Sequence, residues 1–267
     1  MSVKIIAEIG WNHMGDLSLA EEMICAAKES GADIVKFQYW NPDYLKPGSW
    51  DSDGRREIYQ KAELSKEDHL KLKSFCENLN IEFLSSAFSV PDAELLVEIG
   101  CSAVKIPSFE SRNKELIAYC NENFSTIIMS CGTSTFDEIE ESVGLINKAD
   151  LYLMHCVSVY PGEYNEANLP KMNELKKLCN KVGLSDHIEG VESSKIAIGE
   201  GAVILEKHFT IDNDLPGRDN KFAILPKQLK DLTDYIKNRS LMLENLGLGF
   251  NDKENNSRLN YTGRFNG

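Results

Sequence analysis

The hydrophobic positions along the chain form short apolar runs that alternate with longer segments of helical period. The first run, Val3–Ile9, is apolar apart from Lys4 and Glu8, as expected of a strand buried on both faces. Leu17–Ser30 then places its apolar residues on one helical face and ends at Gly31. Continued along the chain, the pattern predicts eight strands: Val3–Ile9, Asp33–Gln38, Glu82–Ser85, Ala103–Ile106, Thr126–Ser130, Leu151–His155, Val182–Leu184 and Ala202–Lys207.

Eight helices are predicted in alternation with these strands: Leu17–Ser30, Ser65–Asn80, Val90–Ile99, Asn113–Asn121, Thr135–Asn147, Leu169–Asn180, Ser193–Gly199 and Pro226–Leu243. This strict alternation predicts an α/β fold, a single-domain (β/α)8 TIM barrel. The barrel is expected to occupy residues 1–247, followed by a polar tail, 248–267, that is loosely ordered or docked elsewhere. Tyr39–Glu63 lacks a clear periodic pattern and is the longest connection, of the kind that often serves as a lid or binding loop.

Composition narrows the classes of protein. With 267 residues the chain can bury one large core, and its net charge of −13 argues against nucleic acid and against an anionic membrane surface. A small anionic substrate stays possible, because local lysines and backbone N–H groups can oppose the global charge. No apolar run approaches the roughly 20 residues of a membrane span, and no signal peptide is evident. Seven scattered cysteines predict free thiols in a cytoplasmic protein.

Catalytic groups of a barrel are expected at the C-terminal ends of its strands. Two of these ends carry a histidine, His187 and His208, which are 21 residues apart, about one strand–helix–strand unit. Both imidazoles should therefore lie at one edge of the barrel, where a divalent metal could bind both, although hydrogen-bonded structural roles remain an alternative. Lys36 and Lys105 lie inside apolar strands, which favours an anionic ligand over the alternative of a salt bridge to a neighbouring carboxylate.

The other strand ends are also polar and add further candidates: Glu8, Gln38, Ser108, Glu110, Ser130, Ser158 and Ser185. The turns that follow Ser130 and Gly183 offer hydroxyl and N–H donors for a phosphate, although each motif alone is weak. Asp219, in the loop Asp212–Asn220 after His208, is a candidate for holding a polar substrate. Three other histidines are interpreted differently: His155 as a structural residue or a support behind a ligand, His13 as a substrate contact or a loop-fixing residue, and His69 as an exposed helix residue without a role.

Seven motifs occur in order along residues 3–245: AEIGWNHMGD, GADIVKFQ, VKIPSFE, IMSCGTST, LMHCVSVYP, VGLSDH and LEKHFTIDNDLPGRD. Together they resemble the sialic acid synthase family, which includes N-acetylneuraminate, legionaminic acid and pseudaminic acid synthases. The family's catalytic domain is a β/α barrel, in agreement with the predicted fold. The resemblance implies condensation of phosphoenolpyruvate with an N-acetylated hexose, N-acetylmannosamine or a related diacetamido sugar, to a nonulosonic acid with release of phosphate.

The resemblance also implies a role for each matching residue. His187 and His208 would hold Mn²⁺ or Mg²⁺, which polarises the sugar aldehyde for attack by C3 of phosphoenolpyruvate. Glu8 fits proton handling, and Glu110 matches an acid that faces the reacting centre. The implied phosphoenolpyruvate contacts are Lys36, Lys105, Ser108, Ser130 and Ser185, and the implied sugar contacts are Gln38, Tyr160 and Asp219. Ser158 stands where some members have Asn; because serine is the shorter donor, a shift of the carboxylate or phosphate contact, and with it of substrate choice, is expected.

A second departure concerns the C-terminal region. Family members usually carry an antifreeze-like domain that lends an arginine to the partner subunit's sugar site, so a homodimer is expected. This sequence stops at Gly267, and Arg258 or Arg264 is a candidate substitute; an acceptor without such a clamp or a separately encoded domain are alternatives. Two other enzyme classes stay open, a different phosphoenolpyruvate–aldose condensation and a pyruvate aldolase. A non-catalytic sugar-binding barrel is disfavoured, because it has no use for buried lysines.

Overall fold

The computed structural model describes residues 3–48 and 52–265. Eight parallel strands form a closed barrel in chain order, with the last strand paired to the first. The fold therefore confirms the predicted TIM barrel, while the boundary at residue 247 stays a prediction. The strands are β1 (Lys4–Gly10), β2 (Ile34–Tyr39), β3 (Glu82–Ala87), β4 (Ala103–Ile106), β5 (Thr126–Ser130), β6 (Asp150–Cys156), β7 (Val182–Asp186) and β8 (Ile204–His208).

Helices alternate with the strands around the barrel, and a last short helix lies in the tail beyond it. They are α1 (Leu17–Glu29), α2 (Arg55–Ala62), α3 (Lys66–Asn78), α4 (Val90–Glu98), α5 (Lys114–Asn123), α6 (Phe136–Val143), α7 (Lys171–Leu175), α8 (Glu192–Gly199), α9 (Pro226–Met242) and α10 (Asn255–Tyr261). Ser65 and Asp68 form a capping box that begins α3, as their spacing in the sequence indicates. The described part of the chain contains no helix long and apolar enough to cross a membrane.

Helix α2 lies within Tyr39–Glu63, the connection that lacks a clear periodic pattern and for which no helix was predicted. Its sequence, RREIYQKA, hides the helix because only Ala62 is buried, so no apolar period appears. The helix contacts the barrel mouth through Tyr59, whose ring lies 4.8 Å from that of Trp11. Residues 49–51 of this connection lie outside the described residues, and a role as a lid stays a prediction.

The inside of the barrel has an apolar layer below a polar one. The apolar layer consists of Ile6, Ile34, Leu84, Ala103, Ile128, Met154 and Ile204. Side chains of a strand alternate between its two faces, so the residue two positions further along each strand returns to the interior. At seven of those positions the buried residues are Glu8, Lys36, Ser86, Lys105, Ser130, Cys156 and Glu206. The same period that builds the core therefore assembles a polar layer at the C-terminal ends.

On β7 the residue at the level of the apolar layer is Gly183. A Cβ atom there would lie 2.2 Å from the carbonyl oxygen and 2.4 Å from Cγ2 of Ile204 on β8. Only glycine permits this close approach of β8, whose next inward residues are Glu206 and His208. Two positions after Gly183, Ser185 joins the polar layer and donates to Glu206.

The prediction that His69 is exposed is wrong, because the phase of α3 differs from the one assumed. The buried face of α3 contains His69, Leu72 and Cys76, whereas Leu70 is 43% exposed. The His69 ring packs edge-on against Tyr39 and lies within hydrogen-bond reach of Ser65 O and Ser85 Oγ. His69 is thus a structural residue between α3 and the barrel wall.

The described cysteines are all free thiols, as predicted, and four of them are buried. Beyond α9, every described residue of the tail is exposed, including those of α10. The described tail is thus partly helical and exposed, and its docking elsewhere stays a prediction.

Candidate active site

Four charged side chains meet at the centre of the polar layer. Lys36 Nζ lies 3.0 Å from Glu8 Oε2 and 3.6 Å from Glu206 Oε1, and Lys105 Nζ lies 3.6 Å from Glu206 Oε2. Each of the four residues is at most 5% exposed. Such burial is unfavourable for isolated charges, so the two lysines and two carboxylates must balance each other in the absence of a ligand.

Glu206, which bridges the two lysines, was not predicted from the sequence. The signal was available: a carboxylate in the apolar strand ILEKH is as unusual as the lysines that were singled out. For Lys36 and Lys105 the sequence left two interpretations open, an anionic ligand or a salt bridge to a neighbouring carboxylate. The salt bridges are present in the structure. An anionic ligand would have to share the lysines with Glu206.

The charge states follow from burial and neighbouring charges. Burial raises the pKa of Glu8 to about 7, although the Lys36 ammonium opposes this change. Burial would lower the pKa of Lys36, but Glu206 and Glu8 outweigh it and the pKa is raised. Burial lowers the pKa of Lys105, with Lys36 adding to the effect. The pKa of Glu206 is lowered because Lys105 and Lys36 outweigh its burial. Glu8 can therefore gain or lose a proton near neutral pH while Glu206 stays ionised.

Neutral donors and acceptors complete the cluster. Lys36 Nζ donates to Ser86 Oγ at 3.0 Å, and Lys105 Nζ donates to Ser130 Oγ at 2.7 Å. Ser185 Oγ donates to Glu206 Oε1 at 3.1 Å, and the Gln38 amide donates to Glu8. The predicted residues Glu8, Lys36, Gln38, Lys105, Ser130 and Ser185 are thus brought into one connected network.

A second group of hydroxyls lies where β4, β5 and β6 end. The Gly132 N–H donates to Ser108 Oγ at 3.1 Å. A Cβ atom on Gly132 would lie 2.5 Å from Ser158 Oγ and 2.8 Å from Ser108 Oγ. A side chain at position 132 would thus fill the space that the two hydroxyls share. The turn after Ser130 therefore borders a small space lined by hydroxyls, and its role as a phosphate cradle stays a prediction.

The imidazoles of His187 and His208 lie side by side, with ring centroids 5.4 Å apart. His187 Nδ1 is 3.0 Å from Val157 O. A carbonyl can only accept, so Nδ1 carries the proton and Nε2 of the neutral ring keeps its lone pair. Burial opposes the charged form of His187, but the ionised form of Cys156, followed by the Val157 carbonyl and Glu206, outweighs burial and raises the pKa of His187.

His208 gains a proton less readily than His187 does. Burial, followed by repulsion from His187, holds the pKa of His208 well below its usual value, so the ring is neutral. Its Nδ1 is buried, lies 3.5 Å from Asp219 Oδ2 and makes no hydrogen bond within residues 3–48 and 52–265. An unpaired buried nitrogen fits a cation ligand.

In the described residues, no group of three or more His, Cys, Asp and Glu side chains is placed to hold a metal. The pair is therefore compatible with an open site in which water or substrate oxygens supply the other ligands. Imidazole suits Mn²⁺ better than Mg²⁺, which takes oxygen ligands.

Asp219 lies beside His208 and is held by an aromatic residue. The Trp11 indole N–H donates to Asp219 Oδ2, and burial raises the pKa of this carboxyl to about 6. The Trp11 ring also packs edge-on against Trp40, with centroids 5.7 Å apart. This aromatic wall, together with Tyr59 of α2, was not predicted; tryptophans in the loops after β1 and β2 were the signal for it. Tyr160 closes the other side, with its ring centroid 4.1 Å from that of His187.

A model of the NeuB family matches residues 23–246. The chain belongs to the NeuB family. It is 36% identical over 262 residues to the N,N'-diacetyllegionaminic acid synthase of Legionella pneumophila, covering 91% of this chain and 74% of that protein. It is also 36% identical over 255 residues to the pseudaminic acid synthase of Helicobacter pylori, covering 90% and 75%. The predicted family is confirmed.

Solved structures agree with this assignment. The crystal structure of N-acetylneuraminic acid (sialic acid) synthetase from Leptospira borgpetersenii serovar Hardjo-bovis in complex with citrate superimposes with a TM-score of 0.88 at 33% identity. The match covers 100% of this chain and 93% of that one. The region matched by the NeuB family model contains most of the candidate residues, while Glu8 and Trp11 precede it.

Some predicted residues of this NeuB-family chain lie outside the network. Glu110, in the 3₁₀ turn after β4, accepts from Asn113 Nδ2 at 2.8 Å, next to the start of α5. His13 Nδ1 accepts from the Gly15 N–H at 3.0 Å, which supports the loop-fixing alternative. His155 Nε2 lies 2.7 Å from Ala167 O in the β6–α7 connection, in keeping with a structural role.

The two tail arginines pack within the tail. Arg258 lies over the Phe250 ring, 4.5 Å from its centroid, and Arg264 lies over Tyr261 at 5.6 Å. Neither contact connects the tail to the imidazole pair, so a role for these arginines in the sugar site gains no support.

Proposed function

We propose that this NeuB-family protein condenses phosphoenolpyruvate with an N-acetylated hexose, giving a nonulosonic acid and phosphate. The observation that carries the proposal is the buried network of Glu8, Lys36, Lys105 and Glu206 beside two neighbouring imidazoles. It provides cations for an anionic donor substrate next to nitrogen ligands for a metal. The relatives named as legionaminic and pseudaminic acid synthases support the same class of reaction.

Phosphoenolpyruvate is assigned to the lysine side of the network. Its carboxylate and phosphate need cations and hydrogen-bond donors in a site without bulk water, where charge-assisted hydrogen bonds are strong. Lys36 and Lys105 supply the charge, and the hydroxyls of Ser108, Ser130, Ser158 and Ser185 supply donors. All six side chains lie at the C-terminal ends of the strands or in the turns that follow them.

The acceptor sugar is assigned to the imidazole side. Gln38, Tyr160 and Asp219 would hold its polar groups, with Asp219 fixed by Trp11. His187 and His208 would hold a divalent metal, for which their imidazoles favour Mn²⁺ over Mg²⁺. When bound, the metal supplies Lewis-acid polarisation of the acceptor's aldehyde oxygen.

The reaction forms one carbon–carbon bond and breaks one carbon–oxygen bond. C3 of phosphoenolpyruvate attacks the aldehyde carbon, and the aldehyde oxygen takes a proton. Water adds to C2 and loses a proton, after which the bond between C2 and the phosphate oxygen breaks and phosphate leaves. Glu8, with a pKa of about 7, is suited to accept and return the proton of that water. A role for Glu110 as a second acid stays a prediction from the family resemblance.

The test is phosphate release from phosphoenolpyruvate in the presence of N-acetylmannosamine, diacetamido hexoses or simple aldoses. We expect release with an N-acetylated acceptor, its loss in excess EDTA and its return with Mn²⁺. His208→Ala should abolish turnover without unfolding the protein. Release that persists in EDTA would contradict the metal role, and pyruvate consumption without phosphate release would indicate an aldolase. The homodimer and the cytoplasmic location stay predictions, of which size-exclusion chromatography tests the first.

A further inference from the structure

Directly behind the imidazole pair, β7 and β8 carry a buried ion pair that the proposed reaction does not use. Ser185 and Glu206 point into the barrel, so Asp186 and Lys207, the next residues, point outward towards the helices. They are register partners of the two strands, and Lys207 Nζ lies 3.3 Å from Asp186 Oδ2. Both side chains are 2% exposed.

Asp186 and Lys207 both form hydrogen bonds to the backbone of Ile188, the residue after His187. Asp186 precedes His187, and Asp186 Oδ1 accepts from the Ile188 N–H at 3.0 Å. Lys207 Nζ also donates to the Ile188 carbonyl oxygen. The residue that follows His187 is thus held at its N–H by one member of the pair and at its carbonyl by the other.

The pair reaches His208 and α8 as well. Lys207 immediately precedes His208 on β8, so the same ammonium that holds the His187 segment belongs to the strand that carries the second imidazole. Asp186 Oδ2 accepts from Ser193 Oγ at 2.6 Å and from Ser194 Oγ at 2.7 Å, which fixes the carboxylate against the first turn of α8.

Stability alone does not explain this arrangement. A buried ion pair is often no more stable than apolar side chains of the same size, because desolvation offsets the attraction. What the pair provides is a fixed geometry: two of its hydrogen bonds end on Ile188, next to His187, and Lys207 itself is the neighbour of His208 on β8.

We infer that Asp186 and Lys207 are positioning residues that set the separation and ring orientation of His187 and His208. The inference rests on the proposed function, in which the imidazole pair binds the metal. Supporting groups behind metal ligands change metal affinity by about 10- to 100-fold when they are removed.

The experiment compares Mn²⁺ binding to the substrate-free protein, measured as free Mn²⁺ by electron paramagnetic resonance, with the thermal midpoint of the metal-free protein. The variant is the double substitution Asp186→Asn with Lys207→Met, which removes both charges and leaves no unpaired buried ion. Lys207→Arg tests rescue by a conserved charge. Lys195→Met is the matched control, because Lys195 of α8 forms an ion pair with Asp231 on the outer surface.

We expect the double variant to stay folded and to bind Mn²⁺ about 10- to 100-fold more weakly, Lys207→Arg to bind at an intermediate level, and Lys195→Met to bind as the wild type. Wild-type affinity in the double variant, with binding lost in His208→Ala, would overturn the positioning role alone. Undiminished binding in His208→Ala would overturn the metal site itself and, with it, the role of the ion pair. If the double variant does not fold, affinity is compared in Asp186→Asn alone, where an unchanged value has the same overturning meaning.

Discussion

Replacement of Glu206 by Gln tests whether this carboxylate is the resident counter-ion of the two site lysines. The change keeps the shape of the side chain and its contact with Ser185 but removes the charge that lies 3.6 Å from both ammonium groups. Lys36 retains Glu8 at 3.0 Å, whereas Lys105 keeps the Ser130 hydroxyl as its hydrogen-bond partner. The substitution therefore removes the counter-ion mainly from Lys105.

The expected magnitude follows from that asymmetry. Removing one partner of a buried ion pair costs about 3–5 kcal/mol, and the lower end applies because only Lys105 is left without a carboxylate partner, while Lys36 keeps Glu8. For a domain of this size, about 3 kcal/mol corresponds to a fall of roughly 6–12 °C in the thermal midpoint. Inorganic phosphate should restore more stability to Glu206→Gln than to the wild type, since it replaces a missing negative charge instead of competing with a resident one.

Differential scanning fluorimetry with and without phosphate measures both effects. Glu141→Gln is the control, because Glu141 pairs with Lys114 on the exposed surface, where loss of one charge changes stability little. A Glu206→Gln midpoint equal to that of the control would refute the counter-ion argument. Equal phosphate-induced shifts in variant and wild type would refute the competition between Glu206 and an anionic ligand.

Two further predictions concern residues that only the structure singled out. Burial lowers the pKa of His69 from 6.5 to about 4. The stability that the buried neutral ring contributes is therefore present above pH 6.5 and is lost as the pH falls through 4. At about 1.4 kcal/mol per pH unit, the loss is about 3 kcal/mol. Chemical denaturation at several pH values should therefore show a flatter acid dependence for His69→Gln; parallel curves would contradict the buried neutral ring. Trp11→Phe keeps the aromatic packing but removes the donor to Asp219, and should raise the KM of the acceptor sugar about tenfold or more. Steady-state kinetics check this, and a rise confined to the KM of phosphoenolpyruvate would place Asp219 in the other substrate's site.

Much of the fold and of the candidate site could be predicted because both depend on local periodicity. Apolar runs and helical faces follow from neighbouring residues, so eight strands and the main helices were recognisable in order. In a closed parallel barrel, the end of every strand reaches the same rim, so Lys36, Lys105, His187 and His208 were predicted to meet before any contact was known.

The sequence by itself therefore determined which residue types face the barrel mouth and in which order. Tertiary structure decided how they pair. Three contacts depend on the register of strands that meet only when the barrel closes. They are the Glu206 bridge between two lysines, the Trp11–Asp219 hydrogen bond and the Asp186–Lys207 ion pair. The burial of His69 depends on the rotation of α3 about its axis. Such contacts join residues distant in sequence, and a hydrophobic period describes each strand or helix without specifying its partner's register or phase.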